Sequence, residues 1–321
     1  MARWIEAIGL YGPLCLLMFL CALRIQFAKR GRTALLLSFC YCLAVLPLLN
    51  AVAEKSGWWK IGDGVGGFLG LAVSLWIGWA ILWGPVSVVL LVILSRRFPT
   101  FVAAGVVVLC QVLFDFAILR FAEPLISLGD VWWRGEVIAI STVLAPSLYF
   151  AHITWLRKNV YARALLVMLT FSVLFFFYPV AGALGGEWTD LAQFWERQAV
   201  WIRLVQLSVL GLCAIPGVLA VWEFAHKGEG TPLPFDPPQG LVTTGVYGFV
   251  ANPMQVSFLI TLAACSLFVG ETSLWVYTAL MAVFAMSLAP WSEAFDLERK
   301  FGPSWRNYRL RVRTWLPRIK L

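Results

Sequence analysis

The sequence is poor in charge. Only 13% of its 321 residues are Asp, Glu, Lys or Arg and 61% are hydrophobic, whereas a soluble domain carries about a quarter charged and about half apolar residues. Water is therefore not the main solvent of this chain. Runs of about 20 apolar residues, each long enough to cross a hydrocarbon core about 30 Å thick, recur from one end to the other. We expect an integral membrane protein that crosses the bilayer many times.

The sequence also lacks the spacings that bind metals. It has only two histidines, and none of its seven cysteines lies in a CxxC or Cys/His arrangement. All seven fall inside apolar runs, so neither disulfides nor a metal site is expected. The net charge is +8, but the basic residues flank the apolar runs and do not form one basic patch with aromatic residues among them. This distribution argues against nucleic acid as a partner. Anionic membrane lipids are the expected partner.

The hydrophobic runs predict an all-α fold with nine transmembrane helices. The candidate spans are 5–23, 33–53, 65–94, 101–119, 137–156, 162–184, 199–222, 254–270 and 273–291. The third run contains Gly84-Pro85 and is either one kinked, tilted helix or a helix with a re-entrant piece. Its glycines Gly66, Gly67 and Gly70 indicate close helix packing in preference to a ligand-binding loop.

The distribution of basic residues predicts the orientation. Most of the 25 Lys and Arg residues fall on one side of the nine spans, and that side is the cytoplasm by the positive-inside rule. The N-terminus is then outside and the C-terminus inside, in the cytoplasmic (inner) membrane if the chain is bacterial. Two polar stretches, 223–253 and 292–321, frame the hairpin of the last two spans. They should converge, so an active site is expected there, facing the cytoplasm.

These two stretches contain a multi-part pattern. The first has Gly245-x-Tyr247 followed by Asn252-Pro253, and the second has Glu293, Leu297, Phe301-Gly302, Tyr308 and Val312. The pattern resembles the C-terminal signature of the isoprenylcysteine carboxyl methyltransferase and phospholipid methyltransferase superfamily over about 199–321. That signature is a G-x-Y, then R-[HN]-P-x-Y, a helical hairpin, and E-E-x-x-L-x-x-x-F-G-x-x-Y-x-x-Y-x-x-x-V.

The departures from the signature bear on the substrate. Ala251 stands where many members have Arg, Gln255 replaces a Tyr, and Ala294 replaces the second Glu. Isoprenylcysteine enzymes use that arginine at the reacting carboxylate, so the resemblance to phosphatidylethanolamine N-methyltransferases is the better one. Those enzymes bind S-adenosylmethionine with a G-x-G and a later acidic pair. Gly228-x-Gly230 and Glu293 would fill these roles here.

The chemistry of S-adenosylmethionine suggests how the residues divide the work. Its ammonium needs an anion, for which we select Glu293, and its carboxylate needs amide donors of the kind a helix start at Asn252-Pro253 provides. Gly228 and Gly230 allow close backbone approach, although they also fit an ordinary loop, and Glu293 also fits an unpaired interfacial carboxylate. Methyl transfer then needs in-line positioning and no metal. No catalytic residue is assigned.

Further cofactor and substrate residues follow from the same reasoning. Gly245, Tyr247 and Tyr308 are expected at the cofactor as parts of the signature, and Gln255 is a substrate-side candidate. His152, near the inner end of the fifth span, is either a hydrogen-bonded packing residue or part of the substrate cavity.

Asp115 and Arg203 are ionisable residues inside predicted spans. An unpaired charge there costs on the order of 2.5–3.5 kcal/mol, and both lie toward the outer leaflet. They are therefore expected to form a structural pair, with Gln111 on the same face as Asp115.

The sequence favours an enzyme with two parts. Residues 1–160 form a transmembrane bundle of unassigned role, and residues 161–321 form the methyltransferase-like module. The predicted activity is S-adenosylmethionine-dependent methylation of a lipidic or small apolar acceptor at the cytoplasmic leaflet. An NADPH-dependent reductase of the sterol-reductase type and a scaffold that has lost turnover remain open as alternatives.

Overall fold

The computed structural model describes residues 2–22, 29–61, 67–121, 125–231, 238–288 and 296–317. The chain divides into two compact units. The first consists of Met1–Lys158 with Gly186–Trp188, and the second of Asn159–Gly185 with Thr189–Leu321.

Five helices make up most of the first unit. They are α1 (Ala2–Ala22), α2 (Lys29–Lys55), α3 (Val73–Leu94), α4 (Thr100–Phe121) and α5 (Trp132–Trp155). The third predicted span is one helix of 22 residues, and Pro85 lies in a single π-turn, Leu82–Val86. A π-turn accommodates the missing proline N–H without ending the helix. A second π-turn, Ile140–Leu144, interrupts α5.

Two small antiparallel sheets accompany the helices of the first unit. Strand β1 (Trp59–Ile61) pairs with β4 (Ile126–Leu128), and β2 (Gly67–Phe68) pairs with β3 (Leu71–Ala72). The β2–β3 turn consists of Leu69 and Gly70, both with positive φ, at 54° and 73°, as in the tight hairpin turns that match strand twist. The predicted helix packing by Gly67 and Gly70 is therefore wrong, and α3 begins at Val73. Gly66 lies outside the described residues.

The second unit contains the remaining helices. They are α6 (Val160–Ala183), α7 (Trp188–Glu196), α8 (Val200–Gly228), α9 (Pro253–Val269), α10 (Thr272–Val283), α11 (296–301) and α12 (Pro303–Arg311). A π-turn at Val173–Phe177 interrupts α6, and another at Phe284–Leu288 continues α10. The first residue of α7, Trp188, belongs to the first unit. A 3₁₀ turn at Gly245–Gly248 lies between α8 and α9.

Six helices in the described parts of the chain are long and apolar enough to cross a membrane: Arg30–Lys55, Val73–Leu94, Thr100–Ile118, Trp132–Trp155, Val160–Ala183 and Val200–Gly228. Three shorter apolar helices, Ile5–Cys21, Pro253–Val269 and Thr272–Ser287, lie at the other predicted spans. The chain is thus a helical protein with several membrane-length helices. Nine crossings and their orientation stay a prediction.

Close packing joins α8, α9 and α10 in the second unit. A Cβ on Gly217 of α8 would lie 2.8 Å from Ser257 Oγ, and that hydroxyl donates to the Cys213 carbonyl at 2.6 Å. Between α9 and α10, Ser266 Oγ and Thr278 Oγ1 are 2.7 Å apart. Gly270, with φ of 79°, ends α9 two residues before α10 begins. The last two helices therefore form a tight hairpin, which returns the chain to the side from which it came.

Candidate functional site

The start of the site is the C-terminal end of α8, which carries an ion pair. Lys227 Nζ lies 3.0 Å from Glu223 Oε2 and donates to Thr244 Oγ1 at 2.7 Å. The Thr244 hydroxyl in turn donates to Glu223 Oε2 at 3.1 Å. The pair is partly exposed, so it positions the loop more than it stabilises the fold. These three side chains connect the end of α8 to the start of the G-x-Y motif.

Position 245 requires a glycine, because of its backbone conformation and because Glu223 lies next to it. Its φ is +58°, a conformation that side chains with a Cβ disfavour. An added Cβ would also lie 2.6 Å from Glu223 Oε1. The first residue of the predicted cofactor motif thus lies directly against a carboxylate that the sequence analysis did not select.

The G-x-G segment is packed against its own loop. Gly228 is the last residue of α8 and is buried, and a Cβ there would lie 3.0 Å from the Pro238 side chain and 3.1 Å from that of Val242. Its carbonyl accepts a hydrogen bond from the Gln239 N–H at 2.6 Å. Gly230 is buried as well. Among the described residues, the atoms closest to Gly228 belong to the loop that follows α8. The close backbone approach that was predicted for a cofactor at this glycine is therefore made by the protein's own loop.

The two halves of the sequence pattern meet through hydrogen bonds. The Tyr308 hydroxyl on α12 donates to the Tyr247 carbonyl at 2.8 Å. The Ala251 N–H donates to the Arg313 carbonyl at 2.9 Å, and the Asn252 N–H donates to the Thr314 carbonyl at 3.3 Å. Residues about 60 positions apart are thereby joined across the α9–α10 hairpin.

The basic tail holds this junction in place. Arg309 Nη2 donates to Thr314 Oγ1 at 2.5 Å, and its guanidinium lies 5.6 Å from the centroid of the Trp305 ring. Lys300 Nζ donates to the Pro238 carbonyl at 2.5 Å. The tail is thus fixed to the loop between α8 and α9 through Lys300, and Arg309 orders the part of the tail whose Thr314 carbonyl accepts from the Asn252 N–H.

Tyr308 is the buried centre of the junction. It is 7% exposed and packs with Ala251, Val312, Leu241 and Trp305. Burial raises the pKa of Tyr308 from 10.0 to about 12, with a smaller opposing effect of Arg309. The hydroxyl therefore keeps its proton, and remains a donor to Tyr247, throughout the neutral range.

Ala251, at the position of the family arginine, belongs to that apolar cluster. It is 7% exposed and contacts the Tyr308 and Val312 side of the cluster. An arginine there would need space that these side chains occupy. The departure at Ala251 therefore has a packing reason in this chain, in addition to its bearing on substrate chemistry.

The predicted helix start at Asn252-Pro253 is confirmed. Pro253 is the first residue of α9, a position where its missing N–H costs nothing. Asn252 makes no side-chain cap bond and is half-buried, as is Gln255 in the first turn of α9.

The other predicted site residues are more widely placed. Glu293 lies outside the described residues. His152 is a half-buried residue of the last turn of α5 in the first unit. Asp115 is in the first unit, where its carboxyl faces that of Glu136, and Arg203 is in the second, 5.7 Å from the Trp195 ring centroid. The pairing of Asp115 with Arg203 stays a prediction.

Sequence reasoning missed Glu223, Lys227 and Thr244. A signal was present, because Glu223 and Lys227 are four residues apart with the acid first, the favourable order on a helix. It went unused because the seventh span was ended at residue 222, whereas the helix continues to Gly228. Within the described ranges, no group of three His, Cys, Asp or Glu residues is arranged to hold a metal ion.

Fold and site together define a helical membrane protein in which the two polar segments around the last hairpin form one hydrogen-bonded site. Residues 206–304 match the phospholipid methyltransferase family. This match covers most of α8, the hairpin and the first part of the second polar segment, up to residue 304, and it confirms the predicted resemblance for the C-terminal module. Searches among curated proteins and among solved structures gave no match. Residues 206–304 are therefore similar to a membrane methyltransferase.

Proposed function

We propose that the protein is an S-adenosylmethionine-dependent methyltransferase that acts on a lipidic or small apolar acceptor at the cytoplasmic leaflet. The observation that carries the proposal is the junction of the two motif segments. Tyr247, Ala251 and Asn252 lie within the family match over residues 206–304, and they are hydrogen-bonded to Tyr308, Arg313 and Thr314, which follow it.

The residues present fit the charges of the cofactor. S-adenosylmethionine supplies a methyl group on a sulfonium, beside an ammonium and a carboxylate. We assign the ammonium to Glu293 and the carboxylate to the first turn of α9 at Asn252-Pro253, where the helix dipole favours an anion. The turn from Gly245 to Tyr247, supported by Tyr308, would form the opposite wall. Gly228 and Gly230 hold the end of α8 against the loop and so position that wall.

Loop contacts support the proposed nine crossings. The β1–β4 pairing joins the segment after α2 to the segment after α4. The Leu69 N–H donates to the Gly186 carbonyl at 2.7 Å, and Trp188 Nε1 donates to the Leu69 carbonyl at 3.0 Å. Nine crossings with the N-terminus outside place these three connections on the outer side. The positive-inside rule then places the site's basic loops in the cytoplasm.

Calorimetric titration of detergent-purified protein with S-adenosylhomocysteine tests the cofactor assignment. Glu293→Gln keeps the size of the side chain and removes its charge, so loss of a charge-assisted hydrogen bond of roughly 1.5–3 kcal/mol should weaken binding by about 10- to 150-fold. Asn252→Ala should weaken it less. Glu298→Gln is the matched control, because Glu298 is half-exposed and paired with Arg306 on the surface.

The same preparation separates the alternatives. A thermal midpoint raised by NADPH and not by S-adenosylhomocysteine would favour a reductase, and a midpoint raised by neither would favour a scaffold. Equal affinity in Glu293→Gln and Glu298→Gln would mean that the cofactor ammonium binds elsewhere. The acceptor itself is found by incubating lipid extracts with an isotope-labelled methyl donor and identifying labelled species by mass spectrometry, with Glu293→Gln as the control.

A further inference from the structure

The first unit contains a cavity with an unusual wall. It has a volume of about 70 Å³ and lies among α2, α3, α4, α5 and the strands β1, β3 and β4. Half of the residues in the wall are aliphatic. The exceptions are three tryptophans, two acids and one amide: Trp59, Trp79, Trp83, Asp115, Glu136 and Asn50. All of them lie outside the residues that match the methyltransferase family.

The two acids are deeply buried and incompletely satisfied. Asp115 is 3% exposed and Glu136 is 7% exposed, and their carboxyl groups face each other. Asp115 Oδ2 and Glu136 Oε1 each lack a hydrogen-bond partner among the described residues, as does the Nε1 of Trp83. The Asp115 carboxyl still has Trp79 and Glu136 as hydrogen-bonding neighbours, so the unpartnered atoms are single oxygens, and leaving each of them buried costs about 1–3 kcal/mol. The cavity therefore contains unused acceptor capacity.

Neighbouring polar groups are already engaged. Gln111 Nε2, one turn before Asp115, donates to the Leu82 carbonyl and to Ser87 Oγ. Asn50 accepts from Trp59 Nε1 at 3.0 Å and donates to the Gly70 carbonyl at 3.1 Å. Among the described residues, those that line the cavity include no Lys, Arg or His. The wall thus supplies negative charge and no positive charge.

The chemistry of the wall selects the ligand. Metal ions such as Ca²⁺ take six to eight oxygen ligands, and two carboxyl groups beside indole rings are too few. Indole rings attract cations that have shed their water, and alkylammonium ions are the typical case. We propose that this cavity binds a small organic ammonium group, with Asp115 and Glu136 as counter-charges and the tryptophan rings as walls. The group belongs either to a free amine or to an amine-bearing lipid head group.

Titration of the full-length, detergent-purified protein with ethylammonium and tetramethylammonium chloride tests this assignment. At least one of the two salts should saturate with one site per chain and raise the thermal midpoint, whereas sodium chloride at the same ionic strength should not. Asp115→Asn and Glu136→Gln should each weaken ammonium binding at least about tenfold, since each removes one charge-assisted contact.

The variants also distinguish lost binding from lost folding. Each amide relieves repulsion between two buried acids, so the empty variants should unfold at the same or a higher temperature than the empty parent protein. Glu54→Gln is the matched control, because Glu54 is an exposed acid of the same helix as Asn50 and does not line the cavity. It should bind ammonium as the parent does.

Three results would overturn the assignment. They are the absence of saturable ammonium binding, an equal response to sodium chloride, and parental affinity in Asp115→Asn.

The two sources of the ammonium are distinguished in lipid nanodiscs. If a lipid head group occupies the cavity, tetramethylammonium or ethylammonium should bind more weakly in phosphatidylethanolamine discs than in phosphatidylglycerol discs, because the lipid competes. Equal affinity in the two discs identifies a free amine as the ligand.

Discussion

The hydrogen bond from Tyr308 to Tyr247 offers the sharpest test of the assembled site. Tyr308→Phe keeps the ring in its apolar cluster and removes only the hydroxyl that donates to the Tyr247 carbonyl at 2.8 Å. Both residues are buried, at 7% and 8% exposure, so water cannot replace the lost donor. A buried acceptor left without a partner costs about 1–3 kcal/mol.

This cost should appear in thermal unfolding. A destabilisation of that size corresponds to a fall in the midpoint of about 2–12 °C for a unit of about 150 residues. Fluorescence and far-ultraviolet circular dichroism of the detergent-purified protein would measure it. Tyr11→Phe is the matched control, because Tyr11 is 59% exposed and should shift the midpoint by less than 1 °C or so.

The same bond has a predictable pH dependence. Because burial raises the pKa of Tyr308 from 10.0 to about 12, the unfolded chain loses this proton at lower pH than the folded one. The stabilisation is therefore complete below about pH 10 and declines as the pH rises from there to about 12. Tyr308→Phe should lack that part of the decline. If it unfolds like Tyr11→Phe and keeps the parental alkaline profile, the two motif segments are not joined as described.

Two further predictions concern the loop and the topology. Gly245→Ala should lower stability by about 1–3 kcal/mol, because it combines a positive φ with a contact to Glu223; Gly248→Ala, in the same turn with its nearest neighbour at 3.6 Å, is the control and should cost less than half as much in thermal unfolding. A reporter enzyme that works only in the cytoplasm, fused after Leu321, should be active; activity of a reporter that works only outside would refute both the orientation and the cytoplasmic site.

The positions of the helices were predictable because hydropathy reports solvent directly. Each predicted span coincides with a helix, and the start of α9 follows from the pairing of Asn252 with a proline. Hydropathy is blind to backbone conformation, however. The run from Gly67 to Ala72 is apolar and was therefore included in a predicted transmembrane helix. In the structure it is a β-hairpin, whose turn is formed by Leu69 and Gly70. Likewise, the predicted seventh span ends at residue 222, where the apolar run ends, whereas α8 continues to Gly228. A helix can extend beyond its apolar part, and hydropathy does not report this extension.

Contacts between distant residues were not predictable from one sequence. Ala251 was interpreted as a lost arginine, and only its contact with Tyr308 reveals the apolar cluster that fills the position. Asp115 was assigned a partner from depth alone, and the facing carboxyl of Glu136 on α5 was missed. Pattern and spacing identify which segments meet, whereas side-chain neighbours depend on helix rotation, which hydropathy does not report.

The junction between Asn252 and Thr314 has a consequence for the order in which the protein matures. Residues 245–253 leave the ribosome before residues 308–314, and the α9–α10 hairpin leaves it between them. A nascent chain stopped at Gly302 would contain all six membrane-length helices of the described residues and still lack the Tyr308 hydroxyl and the Arg313 and Thr314 carbonyls that close the site. Insertion into the bilayer and acquisition of a complete site are therefore separate events in biosynthesis, and the second waits for the translation of α12 and the residues that follow it.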